Sequence, residues 1–312
     1  LIRRFPALSG PLCMIIRPRV SQFAILFTLK GSIAKRIALR TLMVTLLASA
    51  IVLVEILHPS SFTKVNATPF TLLGLSLSIF MSFRNNACYD RWYEARKAWG
   101  EVIVHIRSVI RETHVIRESA ERKPLLLNLC GFAHALNARL RKESEADASR
   151  QWITPKHDAG VPDYSARILQ QVGQQCSDLH QNGELSEWRY MLLANHLTSL
   201  TQAQAVCERI KTTPLPFPYT LLLHRTIYLF CILLPFAMAE PLGWLTPLFT
   251  AIVSYTFFGL DAIADELEDP FGRDENDLPT DALVRTIERD ILAELGVADL
   301  PPPLKPVEYV LS

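Results

Sequence analysis

The sequence predicts an all-α, multi-pass membrane protein with four transmembrane helical segments and a large helical cytosolic region. Charged residues make up only 20% of the 312 residues, and four long stretches hold almost none of them. Between the second and third stretches, apolar residues recur every three or four positions, which is typical of amphipathic helices. The chain shows no alternating runs bounded by Asn-Gly turns, the pattern typical of strands.

The four apolar stretches are the predicted membrane spans. They comprise residues 41–57, 65–83, 226–239 and 241–260. A helix needs roughly twenty apolar residues to cross the hydrocarbon layer. The third stretch reaches that length only if His224 and Arg225 lie at the interface. The alternative is a set of buried helices in a soluble protein, but such helices usually carry a polar stripe that these stretches largely lack.

The basic residues predict the orientation of the spans. Several precede the first span, whereas Lys64 stands alone in the loop after it, and four more follow the second span (Arg84, Arg91, Arg96 and Lys97). By the positive-inside rule, both termini and the long middle segment are cytoplasmic, and we expect the inner (plasma) membrane as the location. No cleaved signal is expected before Arg17. Residues 23–29 are too short to span and are expected to lie along the interface.

The expected organisation has five parts. They are a cytosolic N-terminus with its interfacial helix (1–40), two spans (41–83), a cytosolic helical region (84–217), two further spans (218–260), and a C-terminal helix with its tail (261–312). Within the cytosolic region, breaks between helices are predicted at Lys123-Pro124 and within residues 152–163 and 176–187. The proline-rich residues 212–219 predict a rigid return to the membrane.

Several function classes find little support in the sequence. A net charge of +1 provides no basic field for nucleic acid. The six cysteines form no CxxC pair, so buried free thiols are predicted rather than a zinc site. The sequence contains none of the GxSxG, HExxH, P-loop or GxGxxG motifs, and we therefore expect no enzyme activity. Glu55 is a functional candidate because it lies inside a span, although it is close to the span's outer end.

One acidic face keeps a different class open. Asp261, Asp265 and Asp269 follow the fourth span at helical spacing and could hold a divalent metal ion. A solvated end of the span explains them equally simply and is favoured. If they do bind metal, the chain is a membrane-anchored helical scaffold or a metal-dependent enzyme.

The second span carries an apolar stripe. Leu75, Ile79 and Phe83 lie on one side of the helix, beside small residues at Gly74, Ser78 and Ser82. Small residues allow membrane helices to approach closely. If several copies pack around an axis, each large residue forms a ring, and the rings make a hydrophobic constriction that gates by dewetting. The alternative is a stripe that faces lipid or another helix.

The helical pattern continues beyond this span. Asn85 and Asn86 follow Phe83 directly, and the pattern runs on into the cytosolic region. In the constriction interpretation, the two side chains are wetted dipoles at the inner mouth of the pore. No other role for them follows from the pattern alone.

Three long motifs resemble the bestrophin family, in particular its bacterial members. They are "FRNNACYDRWYEARKAWG", "PLPFPYTLLLHRTIYLF" and "DPFGRDENDLPTD", and the resemblance extends from about residue 17 to about residue 295. It implies a homopentameric ion channel with one axial pore. The family's neck of three apolar rings matches Leu75, Ile79 and Phe83. A second narrow point, the cytosolic aperture, matches Leu185.

The sequence departs from the animal members of that family at their calcium site. Asp274 and Asp277 match side-chain ligand positions, but Arg273 and Asn276 dilute the charge of the run. Calcium affinity rises with ligand charge, so a weak site is expected, and calcium is not expected to be required.

The same resemblance leaves the transported ion open. Bacterial members include channels that favour monovalent cations, and Glu55 and Glu240 face a single Lys64 in the outer loops. We therefore expect monovalent cations such as sodium, with chloride or another anion as the alternative. The expected partners are further copies of the same chain, membrane lipid and monovalent ions, with no nucleic acid.

Overall fold

The computed structural model describes residues 14–15, 31–58, 66–116, 119–154, 163–307 and 309–311. The predicted interfacial segment 23–29 and Cys13 lie outside these residues. The described residues form nine α-helices: α1 Ala34–Leu57, α2 Thr68–Glu112, α3 Ser119–Leu140, α4 Glu145–Ser149, α5 Tyr164–Gln181, α6 Glu187–Thr212, α7 Phe217–Leu242, α8 Thr246–Glu268 and α9 Thr280–Glu294.

The all-α prediction is confirmed, with one small addition. Strand β1 (Met14–Ile15) pairs antiparallel with strand β2 (Val310–Leu311), so that residues from the two ends of the chain meet. A pairing of two residues is too short to leave an alternating pattern in the sequence.

The helices group into two compact units. One contains residues 18–92 and 214–268, and the other contains residues 1–17, 93–213 and 269–312. The first, called here the span unit, includes all four predicted membrane segments. The second is called the helical unit. The helical unit begins at residue 93 rather than the expected 84, and again at 269 rather than the expected 261, because α2 and α8 continue past the apolar stretches.

The span unit is built on α1, the first half of α2, α7 and α8. Its core joins apolar side chains from all four helices: Ile37, Val44, Leu77, Met81, Leu223, Ile227, Phe230, Cys231, Leu234, Phe258 and Ala262. Among the described residues, two stretches are long and apolar enough to cross a membrane, Ala34–Leu57 and Phe217–Glu268. The start of α2 is not among them, since serines and threonines interrupt it and polar residues follow from Arg84.

The stretch Phe217–Glu268 is divided at a tight connection. Helix α7 ends at Leu242, a 3-10 turn covers Gly243–Leu245, and α8 begins at Thr246. Gly243 has a φ of 48°, a left-handed backbone conformation that glycine adopts without steric cost. The hydroxyl of Thr246 donates a hydrogen bond to the carbonyl oxygen of Met238 (2.8 Å). The chain therefore reverses between two apolar helices, as the third and fourth predicted spans require.

Most of the predicted helix breaks are confirmed. Helix α5 begins directly after the break at 152–163, α6 begins at the end of the break at 176–187, and α7 begins at Phe217, within the proline-rich residues 212–219. The break predicted at Lys123-Pro124 is wrong. Pro124 is the sixth residue of α3, where it removes a single intrahelical hydrogen bond without ending the helix.

The helical unit packs α3 against α4, α5 and α9, and α5 against α6. Its buried side chains include Trp99, Val102, Ile106 and Val109 from the second half of α2. The prediction of buried free thiols is confirmed for the described cysteines, all five of which are buried and unbonded. Burial raises the pKa of Cys88 to about 11 and those of Cys176 and Cys207 to about 12, so these thiols stay protonated at neutral pH.

A buried arginine joins α2 to α8. Arg84 is 1% exposed, and its guanidinium donates hydrogen bonds to Asp261 and Asp265, both at 2.6 Å. Glu268 lies 3.6 Å from the same group. Asp261 is also buried, and its second oxygen lies 2.9 Å from Nδ1 of His224 on α7. One cation thus connects three helices of the span unit.

Removing one member of this network should destabilise the protein strongly. Arg84→Ala leaves the Asp261 carboxylate buried without its main partner, which typically costs about 3–5 kcal/mol. We expect a large fall in the thermal unfolding temperature of the purified protein in detergent. Arg150→Ala is the matched control, because Arg150 forms an exposed pair with Asp147 and should change stability little. Equal stability of the two variants would contradict a structural role for Arg84.

Candidate functional site: the exposed face of α2

Helix α2 is one uninterrupted element. Its 45 residues run from Thr68 to Glu112, a length of about 68 Å at about 1.5 Å per residue. The prediction that the helix continues past Phe83 is therefore confirmed. The helix contributes its first half to the span unit and its second half to the helical unit.

One side of the first half of α2 faces the chain's own core. Leu77, Met81, Arg84 and Cys88 are all buried, and they recur at helical spacing along one side. The hydroxyl of Tyr219 on α7 donates a hydrogen bond to the Phe80 carbonyl oxygen (3.0 Å). These contacts set the rotation of α2 about its own axis.

The predicted neck residues lie on the other side. Leu75 is 61% exposed, Ile79 48% and Phe83 61%. With about 3.6 residues per turn, this stripe is centred roughly opposite the buried side. A single chain therefore leaves three large apolar side chains in a row without packing partners from its own core.

The neighbouring stripe of small residues is divided between two roles. A Cβ atom at Gly74 would lie 3.1 Å from Cζ of Phe230, so Gly74 allows α7 of the same chain to pack closely. The expectation that Gly74 meets another copy is therefore wrong. Ser78 and Ser82 are exposed, and the Ser78 hydroxyl donates to the Gly74 carbonyl oxygen at 2.8 Å.

The two asparagines after Phe83 point in different directions. Asn86 is exposed and falls on the side of Leu75 and Ile79. Asn85 is half-buried, and its Oδ1 is enclosed without a hydrogen-bond donor from any described residue. Asn86 thus extends the exposed face, whereas the expectation that Asn85 is a wetted dipole is not met in the single chain.

Leu185 does not form an exposed constriction. It lies in the turn between α5 and α6 and is 2% exposed. Its amide donates to the Leu179 carbonyl oxygen (3.2 Å), and its own carbonyl oxygen lies 3.0 Å from Nδ1 of His180. A side chain packed inside its own chain cannot line an aperture, so this geometry contradicts the Leu185 prediction. The match was made from sequence, which does not show the burial of a turn residue.

The two aspartates of the calcium prediction face different ways. Asp274 is exposed, whereas Asp277 is buried, and its Oδ2 accepts a hydrogen bond from the Asp274 amide (2.7 Å). The described residues contain no group of three or more His, Cys, Asp or Glu side chains that could hold a metal ion.

The three aspartates that could have held a metal ion are bound by cationic side chains instead. Asp261 and Asp265 bind Arg84, while Asp269 binds Lys211 at 2.9 Å. The role of Arg84 was missed from sequence. The sequence did hold a signal for this contact. One apolar stretch ends in a lone arginine and another ends in aspartates, and buried charges require partners.

Comparisons with known proteins agree with this geometry. Residues 14–293 match the family model described as "Bacterial/Fungal Bestrophin protein". A voltage-dependent anion channel-forming protein of Mesorhizobium japonicum is 41% identical over 95% of this chain and 96% of its own length. The voltage-dependent anion channel-forming protein YneE of Escherichia coli K12 is 38% identical over 94% of this chain and 98% of its own.

A solved structure supports the same assignment. The crystal structure of a bacterial bestrophin homologue from Klebsiella pneumoniae superposes with a TM-score of 0.79 at 37% identity, covering 83% of this chain and 98% of that chain. Sequence family, relatives and fold therefore lead to one assignment. This chain belongs to the bestrophin family of membrane ion channels, in its bacterial and fungal branch.

Proposed function

We propose that the chain forms a homopentameric anion channel whose neck is lined by Leu75, Ile79 and Phe83. The observation that carries the proposal is the apolar row on α2, exposed in the single chain while the opposite side of the helix is buried. Membership in the bestrophin family supports an axial arrangement of this row over a lipid-facing one.

In this arrangement, five copies of each residue form an apolar ring. Water leaves a narrow pore with apolar walls, and an ion cannot enter without its hydration, so the rings close the pore by dewetting. Phe83 is the largest of the three and lies nearest the cytosolic end of the span. Asn86, one turn further, offers an amide dipole to an ion that leaves the neck.

The nature of the ion follows from the relatives rather than from the outer glutamates. Both curated relatives described above carry names that state anion channel formation. The opposite expectation, sodium conduction, depended on Glu55 and Glu240 and on the resemblance to bacterial members that favour monovalent cations. Neither residue lies on the exposed row of α2. We therefore favour chloride and other small anions.

The membrane arrangement remains part of the proposal. We infer four spans, with the first half of α2 as the second span, and cytoplasmic termini in the inner membrane. The serine-rich start of α2 suits this position because lipid need not surround it if five copies of α2 line the pore. We also propose that calcium is not required, since Asp277 is buried and its Oδ2 already accepts a hydrogen bond from the Asp274 amide.

The assembly is tested by mass. In mild detergent, native mass measurement should give one species at five times the 35.2 kDa of a single chain. The exposed apolar row needs partners, which is the physical reason for association. A monodisperse monomer would rule out the proposed channel and would favour the anchored scaffold.

Ion selectivity is tested by the reversal potential. In planar bilayers with a chloride gradient, the current should reverse close to the chloride equilibrium potential. Replacing sodium with a bulky organic cation should leave that potential unchanged. A reversal potential that follows sodium instead would restore the cation hypothesis.

The gate is tested by substitution in the rings. Phe83→Ala and Ile79→Ala should each raise liposome chloride flux several-fold, because a wider neck retains water. Phe249→Ala is the matched control, since Phe249 is an exposed phenylalanine on α8, and its flux should equal that of wild type.

Leu77→Ala completes this series. Leu77 is buried on the core side of α2, so its truncation should lower stability by about 2–5 kcal/mol without raising flux. Equal flux in wild type, Phe83→Ala and Ile79→Ala pentamers would show that the row is not the gate.

A further inference from the structure

A second candidate site lies in the helical unit, away from the row on α2. A cavity of about 400 Å³ opens between α9, the second half of α2 and the C-terminal residues. Three arginines line it, Arg96 from α2 and Arg285 and Arg289 from α9, while Pro303, Leu304 and Leu311 add apolar wall. Cavities of this size commonly hold small molecules.

This cavity, called here the arginine cavity, carries an excess of positive charge. The acidic lining residue, Asp290, is already bound by Nε of Arg107 at 2.8 Å. Arg96 is exposed and makes no hydrogen bond or ion pair with another described residue. Its guanidinium is therefore available to a ligand.

The two arginines of α9 keep donors available as well. Arg289 donates one hydrogen bond to the Pro301 carbonyl oxygen through Nη1. Arg285 is only 7% exposed. Its Nε lies 3.2 Å from Glu288 Oε2, close enough for an ion pair but without the geometry of a hydrogen bond. Glu288 therefore offsets the charge of Arg285, and Arg289 is the principal cation that α9 contributes.

We propose that this cavity binds a small oxyanion that carries phosphate or carboxylate groups. Guanidinium groups match these anions because two parallel N–H groups meet two oxygens. Arg96 and Arg289 supply the principal contacts from two different helices, while Arg285 is paired with Glu288. The apolar wall formed by Leu304 and Leu311 suits an organic body attached to the anionic group.

Binding can be measured without any ion flux. Isothermal titration of the purified protein in detergent, at low ionic strength, should show saturable binding of inorganic pyrophosphate or of citrate, one per chain. A response to pyrophosphate alone identifies phosphate as the recognised group, and a response to citrate alone identifies carboxylate. Raising the salt concentration should weaken either interaction, since charges at a partly open site are screened.

Two variants assign the binding to the arginine cavity. Arg96→Gln and Arg289→Gln should each weaken binding by about tenfold or more, the usual loss for a charge-assisted hydrogen bond. Arg150→Gln, which removes an exposed arginine outside the cavity, should bind as wild type does. Because Arg96 bonds to no described residue, the unfolding temperature of Arg96→Gln without ligand should match that of wild type.

Three results would overturn the proposal. They are the absence of saturable binding for both anions, wild-type affinity in the Arg96→Gln/Arg289→Gln double variant, and an equal loss in Arg150→Gln. None of these results bears on the anion channel, which is tested by flux and reversal potential. Each proposal can fail while the other stands.

Discussion

The buried ion pair between Arg84 and Asp261 sets the geometry on which the other features of the span unit depend. A guanidinium in an apolar interior is tolerated only where carboxylates reach it, and Asp261 and Asp265 on α8 supply them at 2.6 Å. This requirement allows α2 essentially one rotation about its axis. Leu77 and Met81 then face the core, and Leu75, Ile79 and Phe83 face outward.

The same network explains which chemistry the acidic end of α8 can perform. Three aspartates at helical spacing could attract a divalent cation if they were free. Arg84 and Lys211 already bind all three, so a metal ion would have to displace these two cations. The anchored metal-dependent enzyme therefore loses its proposed site. Because Arg84 is buried, its charge is also withheld from the outward face, which leaves the proposed neck uncharged.

Sequence reasoning predicted the features that follow from local chemistry. Helical period and charge-free stretches indicated an all-α fold, and the prolines of 212–219 placed the break before α7. Sequence reasoning could not predict the features that depend on tertiary contacts. The burial of Leu185 arises from the turn between α5 and α6, and the contact of Gly74 with Phe230 joins residues far apart in the chain. The pairing of β1 with β2 joins the ends of the chain through two residues each.

The sequence indicates that the three residues of the row share one side of α2, but not which way that side faces. Periodicity shows that Leu75, Ile79 and Phe83 share a face, and it does not show whether the chain's own helices cover that face. The structure answers this through the opposite side of α2, where Leu77, Met81, Arg84 and Cys88 are buried. No charged side chain lies on the row, so the proposed anion selectivity is drawn from the relatives.

The rotation imposed by Arg84 also limits how the proposed neck can open. If α2 turned alone about its axis to move Phe83 aside, Arg84 would leave Asp261 and Asp265, and the buried Asp261 would lose its main partner. A change of side-chain rotamer at Phe83, which is 61% exposed in one chain, costs far less. Movement of α2 together with α7 and α8 also keeps the ion pairs intact. Opening should therefore proceed by side-chain rearrangement or by joint helix displacement, because both preserve the one buried contact that the span unit cannot lose.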